Sequence, residues 1–358
     1  MKANATPIQP EPVNPDLDDA RRRYEHALAP EDRERHPFYA ELCDRLGDDE
    51  LGLTLLGEVR ATQRNPMLIL AALHWHALRG HEILGPLYER VRRGEPADVK
   101  VDVATVLTVL HNNPALVRGE LWRSTQTNEP GRSAVLQALV SELAQDRRAI
   151  NVIEVGSSAG INLHFERFRV RAFDDHDALT LVCRDLGGVI ERTLPSIARR
   201  IGIDPNPLDL ANRDDRLWLK ACLWPEDRRR HERFDAVVAA WPTWEPVEVL
   251  CGSVRERFDE ALTLTKDSFT IVINTWVLFY LSEEERAWFL TRAHDAARAG
   301  RCAAISVESP LVEIAGIDAT KRPEQRGASR IVVAREFDAP ELWGWCHPHG
   351  RWLEKVRS

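Results

Sequence analysis

The chain has 358 residues, a net charge of -8, and 44% apolar against 29% charged residues, which is room for two soluble domains. The acidic balance argues against a nucleic-acid footprint, and the runs Arg21-Arg22-Arg23 and Arg228-Arg229-Arg230 read as solvated helix faces. No apolar run approaches the ~20 residues of a membrane span, the first residues lack a signal-peptide core, and six dispersed cysteines read as free thiols of a reducing cytoplasm.

Residues 1–13 carry Pro7, Pro10 and Pro12 and no hydrophobic pattern, which predicts a disordered tail. Asn14-Pro15-Asp16 reads as a helix start, with the helix running to about Leu28. From 14 to 145 the periodicity is helical throughout. Examples are Phe38, Leu42 and Leu46, the apolar stretch Met67–Leu78 behind Pro66, and Val101–His111. His74 and His76, two apart, face different ways and cannot share a metal ion. This predicts an all-helical N-terminal domain, expected to cap the site.

Thr125–Arg132 is a polar loop leading into a helix from Ser133 to Ala144. Asn128 and Glu129 either cap that helix or face a ligand at the sheet edge.

Ile150–Val155 is an apolar, β-branched run that predicts a buried parallel strand. The small residues Gly156, Ser157, Ser158, Ala159 and Gly160 follow, then a short helix through Ile161, Leu163 and Phe165. There is no Gly-Lys-Ser/Thr for a P-loop and no Gly-x-Gly-x-x-Gly for a dinucleotide site. The pattern Glu154-x-Gly156-x-x-x-Gly160 resembles the first motif of class I S-adenosylmethionine (SAM) methyltransferases, with Ser158 in place of the usual middle Gly. That resemblance implies a loop around the methionine part of SAM, with contacts from Glu154, Gly156, Ser157, Ser158, Gly160 and Asn162.

Arg167–Ala172 and Leu179–Cys183 alternate about an acidic turn, Asp174–Asp177, and predict a β-hairpin insertion at about 167–184. A strand then ends at Gly202-Ile203-Asp204. Its carboxylate, 48 residues beyond Gly156, is expected to accept the ribose hydroxyls, with Asn206 beside it. On that reading Asp204→Ala costs affinity and little stability; the rival reading makes Asp204 a cap of its own turn. Helices are expected over Asp214–Leu223 and Glu226–Trp241, with a strand at Phe234–Val238 as the alternative to the second.

Val247–Ser253 is a third strand and turn. Ser253 stands where methyltransferases often carry an acid for the adenine amine. Phe269–Trp276 is a fourth strand with Asn274 and Thr275 at its polar end. Tyr280 follows, and Ser282 caps an acid-headed helix. Cys302–Val307 is a fifth strand ending at Glu308. Arg330–Phe337 and Arg351–Val356 read as a late antiparallel pair, with Cys346-His347-Pro348-His349 at a hairpin turn.

On Gln126–Arg132, Glu154–Leu163, Asp204–Asp209, Trp224-Pro225-Glu226 and Cys346–Gly350, the chain is identified as a member of the bacterial family called domain of unknown function 2332. That resemblance covers residues 20–356 and implies a methyltransferase-like fold. The expectation is α/β: a Rossmann-like class I SAM-methyltransferase sheet over 146–358, mostly parallel with an antiparallel last strand. The function expected is methyl transfer from SAM to a small molecule, by a cytoplasmic monomer or homodimer that engages neither nucleic acid nor membrane. Candidate acid/base or positioning groups are Asn128, Glu129, Asn274, Tyr280 and Glu308; no metal is expected. The alternative is a SAM- or nucleoside-binding protein without turnover.

Overall fold

The computed structural model describes residues 16–95, 98–171, 177–186, 193–318 and 327–356. The expected tail at 1–13 and the acidic residues Asp174 and Asp175 lie outside the described residues. The chain divides into two compact units, one of residues 1–127 and 211–232, the other of 128–210 and 233–358.

The first unit is helical. It contains α1 (Leu17–Glu25), α2 (Pro30–Arg35), α3 (Pro37–Gly47), α4 (Glu50–Glu58), α5 (Pro66–Leu78), α6 (Leu84–Arg93), α7 (Val99–Asn112) and α8 (Ala115–Arg118). The starts follow local chemistry. Asp16 accepts the Asp19 amide and opens α1, so the helix begins after Asn14-Pro15 and ends at Glu25, short of Leu28. Asn65 caps α5 through the Met67 amide, with Pro66 at the first position. His74 and His76 turn to different partners, the carbonyls of Ala221 and Leu116.

Two helices complete the list before the second unit's C-terminal half, α10 (Arg213–Ala221) in the first unit and α11 (Arg228–Ala240), which crosses the unit boundary. Phe234–Val238 is thus helical. α10 packs on α5, which is why these later residues group with the N-terminal helices. The Trp224-Pro225-Glu226 motif acts here too: the Glu226 carboxylate accepts the Phe38 and Tyr39 amides at 2.7 and 3.3 Å and caps α3.

The second unit starts with a 3-10 turn (Pro130–Arg132) and α9 (Ser133–Ala144), then a mixed sheet. Its strands are β1 (Ala149–Val155), β4 (Arg184–Asp185), β5 (Ser196–Asp204), β6 (Glu248–Cys251), β7 (Thr270–Thr275), β8 (Cys302–Glu308), β9 (Ser329–Ala334), β10 (Glu341–Cys346) and β11 (Trp352–Lys355). The order is β4-β11-β10-β9-β8-β7-β1-β5-β6. The five strands β6-β5-β1-β7-β8 are parallel. Numbered by their own succession they run 3-2-1-4-5, so the order reverses between β1 and β7. α12 (Val254–Leu264) and α13 (Glu283–Arg298) supply Phe258 and Phe289 to a core that includes Ile153, Ile201 and Val272.

Two expected pairings differ. β2 (Arg169–Arg171) and β3 (Thr180–Val182) pair in parallel, Val170 opposite Leu181, so they are not a hairpin. Among the described residues the C-terminal strands number three: β9 and β11 flank β10, which the sequence does not announce. The turn from His347 to Arg351 does join a hairpin, β10–β11, closed by the His347 amide on the Trp352 carbonyl.

Candidate functional site

All five parallel strands end on one edge. Their carboxyl ends bring Gly156, Asp204, Ser253, Asn274 and Glu308 to that edge, with the β1 loop at the reversal of strand order. In open α/β sheets this is where ligands bind.

The loop after β1 needs a special backbone. Gly156, Ser158 and Gly160 have φ of +75, +53 and +79°, so three of five residues are left-handed. Ser158 therefore occupies a position that suits glycine, and its strain is held by a hydrogen bond from its amide to the Asp204 carboxylate at 2.8 Å. A Cβ on Gly156 would stand 2.4 Å from the Val277 side chain. Gly202, two residues before Asp204, is needed because a Cβ there would stand 2.4 Å from Ser157 Oγ.

Most of the loop amides are bonded inside the protein. Gly156 and Ser157 donate to the Ile203 carbonyl, Gly160 to Ser157, and Ile161 to Asn128 Oδ1 at 2.8 Å. The expected short helix is a 3-10 turn, Ile161–Arg167, and its first amide is already bonded to Asn128. Five of the amides from Gly156 to Ile161 are thus already engaged.

Acceptors remain. Glu154 is fully buried in β1, and its Oε1 accepts the Asn162 side-chain amide at 3.3 Å. Glu154 Oε2, Asn162 Oδ1 and Ser157 Oγ are buried without hydrogen-bond partners. Burial pushes the Glu154 carboxyl up to about 8, against the opposing pull of its Asn162 hydrogen bond and the Arg132 guanidinium. Such atoms are costly unless something pairs with them.

The remaining predicted residues divide by role. Asn128 fastens the loop, and Glu129 accepts the Gly131 amide at 2.9 Å and opens the turn before α9. Glu308 Oε1 accepts the Val277 and Leu278 amides and the Asn274 side chain at 2.9–3.1 Å. Asn274 also donates to Ser306. Thr275 offers its carbonyl and hydroxyl to Arg132 at 3.2 and 3.3 Å. Ser253 is consumed in a capping box with Glu256 at the start of α12. Asn206 donates its amide to Asp204 Oδ1 at 2.8 Å and is itself exposed. Tyr280 is half-buried, its ring 5.5 Å from Phe279.

Asp204 thus has one oxygen on Ser158 and the other on Asn206. The capping reading is observed, and it reaches further than its own turn because it also sets the β1 loop. Burial raises this carboxyl from its ordinary value.

Sequence reasoning missed Arg132 as a functional residue, although its motif was noted. It is buried and bonds to Thr275 on β7 and to the Pro348 carbonyl. It ties the Asn128–Arg132 segment to both the sheet edge and the His347–Gly350 turn. The two segments touch closely: a Cβ on Gly350 would lie 1.9 Å from the Gly131 carbonyl oxygen. Two glycines facing each other across these motifs were the readable signal.

A family model matches residues 21–355, under the description "Uncharacterized protein conserved in bacteria (DUF2332)". The chain belongs to that family. Among curated proteins and among solved structures, no match is found. Within the matched range, the segments Asn128–Arg132, Glu154–Leu163, Asp204–Asn206 and His347–Gly350 are joined by the contacts described above.

Proposed function

We propose that the protein binds SAM at the carboxyl edge of the sheet and transfers its methyl group to a small molecule. The observation that carries this reading is the donor-to-acceptor imbalance of the β1 loop. Its amides at Gly156, Ser157, Ser158, Gly160 and Ile161 are internally bonded, while Glu154 Oε2 and Asn162 Oδ1 wait as buried acceptors. Such a pocket offers few donors to a phosphate, and a cationic group would favour the ionised form of Glu154 by displacing its proton. The α-ammonium and sulfonium of SAM are both cationic, whereas a dinucleotide presents a pyrophosphate. The 3-2-1-4-5 order of the parallel strands, with this loop at its reversal, supports a Rossmann-like methyltransferase sheet.

On this reading Glu154 and Asn162 hold the ammonium end, and the left-handed loop lets the backbone approach the ligand closely. SAM supplies the electrophilic methyl carbon; the protein's part is alignment of the acceptor and exclusion of water. Asp204 acts chiefly by shaping the loop, since both its oxygens serve backbone amides. Tyr280, half-buried at the edge, is the remaining candidate for positioning an acceptor. Six free cysteines support a reducing, cytoplasmic setting.

A second reading, binding without turnover, is favoured by one observation: Asn128, Glu129 and Glu308 all already hold backbone amides. Calorimetry with SAM, its demethylated product and NAD tests the site. SAM and the product are expected to bind and NAD not; absence of SAM binding sinks both readings. Incubation with methyl-labelled SAM and cell metabolites then separates them, because only the enzyme moves the label.

A further inference from the structure

The 3-10 turn after the β1 loop breaks at His164, whose φ and ψ are -110 and 30°. The side chain is fully buried, with the rings of Trp241 and Trp244 each 5.1 Å away. Neither imidazole nitrogen has a hydrogen-bond partner. A buried imidazole normally satisfies at least one nitrogen.

Two carboxylates stand beside it. One nitrogen of His164 and one oxygen each of Glu166 and Glu245 all lie within 4.8 Å of one another. Glu166 Oε1 accepts Arg200 at 2.5 Å, and Arg200 is itself anchored on the Leu163 carbonyl at 3.0 Å. That fixes the carboxylate and leaves its Oε2 buried without a partner. Glu245 pairs with Arg167, whose guanidinium is also 3.6 Å from Glu166. Both members of the Glu245–Arg167 pair are solvated, at 53 and 36% side-chain exposure. An ion pair so exposed is weak and easily exchanged.

We propose that His164, Glu166 and Glu245 bind one divalent first-row metal ion, with Arg200 orienting Glu166 and Arg167 swinging out to make room. One imidazole nitrogen and two carboxylate oxygens make a donor set that suits Mn²⁺. Donors bonded to one ion at ~2.1 Å lie at most ~4.2 Å apart. Adjacent donors lie closer, at ~3.0–3.4 Å, so closure needs movement of up to about 2 Å, most of it available to the exposed Glu245 side chain. Arg200 plays the outer role usual around metal ligands, hydrogen-bonding the ligating carboxylate. With Arg167 gone, the two carboxylates outweigh Arg200 by one negative charge, which favours a cation.

The test is a Mn²⁺ titration of the full chain, followed by the loss of the free-ion paramagnetic resonance signal. Mn²⁺ is chosen because the six free thiols do not compete for it. One ion bound per chain is expected. Glu245→Gln, at an exposed position, should weaken binding at least tenfold with the circular dichroism unchanged, as loss of a ligand does. Arg167→Gln should tighten binding, which a purely structural ion pair would not do. Failure to bind one equivalent, an affinity unchanged within twofold in Glu245→Gln, or weaker binding in Arg167→Gln overturns the proposal.

Discussion

The Asp204 carboxylate accepts the Ser158 amide at 2.8 Å, joining the end of β5 to the left-handed residue of the β1 loop. Its other oxygen accepts the Asn206 amide at the same distance. One side chain thus sets both the second strand's exit and the loop at the strand-order reversal. Hydrogen bonds to a charged acceptor are worth ~1.5–3 kcal/mol each. Asp204→Ala is therefore expected to lower stability by roughly 3–6 kcal/mol, measurable by urea denaturation. The sequence had pointed instead to a loss of affinity with stability kept. A variant as stable as the parent would refute the structural role.

Ser158 itself offers a milder test. A non-glycine residue at φ +53° carries ~1–2 kcal/mol of strain, and glycine relieves it at an entropic cost of ~0.5–1 kcal/mol. Ser158→Gly should thus be neutral or stabilising by up to about 1 kcal/mol. Ser158→Val should destabilise by more than that, because a β-branched side chain tolerates this conformation poorly. Equal melting temperatures for the two variants would show that the loop is not held left-handed.

Glu154 makes stability depend on pH. Its folded value is about 8, above its ordinary 4.5, so the folded state keeps the proton longer. The favourable contribution is complete below pH 4.5 and is lost as pH rises through 8. At pH 7 the loss is on the order of 3 kcal/mol. Glu154→Gln removes the dependence. The variant's advantage over the parent, read from chemical denaturation, should grow between pH 5 and 8. If a cationic ligand binds at Glu154, parent affinity should rise over the same interval, with proton release seen by calorimetry in buffers of different ionisation enthalpy.

Gly350→Ala tests the contact between the His347–Gly350 turn and the Asn128–Arg132 segment. The added methyl would stand 1.9 Å from the Gly131 carbonyl oxygen, at a backbone φ of +70°. Backbone must shift, so a destabilisation of roughly 3 kcal/mol or more is expected. Thermal unfolding measures it, and a melting temperature within a degree of the parent's would show that the turn yields freely.

Arg132→Met removes three hydrogen bonds, to Thr275 O, Thr275 Oγ1 and Pro348 O. A buried guanidinium so placed should cost at least ~2 kcal/mol when lost. The charge also steadies Glu154 and Glu308, so both carboxyls should titrate higher in the variant. A stability profile shifted to lower pH instead would contradict that electrostatic role.

Several features were legible because they are encoded within a few residues. The helix starts at Pro66 and Ser282, the β1 run from Ile150, the small-residue loop and the Gly202-Ile203-Asp204 strand end all follow from short-range chemistry. What depends on distant partners was not legible. β10 was missed because its alternation is interrupted by a shift in register between Leu342 and Gly344, and only β9 and β11 on its two sides define it. The 169–182 strands carry the same alternation whether they pair parallel or antiparallel, so alternation alone does not set their direction. The placing of α10 with the N-terminal helices rests on its packing against α5. Likewise a sequence shows that Asp204, Asn128 and Glu308 are polar, but not that backbone amides from other segments take up their oxygens. His164 and Glu245 stand 81 positions apart, and only the fold brings them within reach of one another. Local periodicity and capping determined the elements; long-range pairing decided which polar groups are spent on the fold and which remain for chemistry.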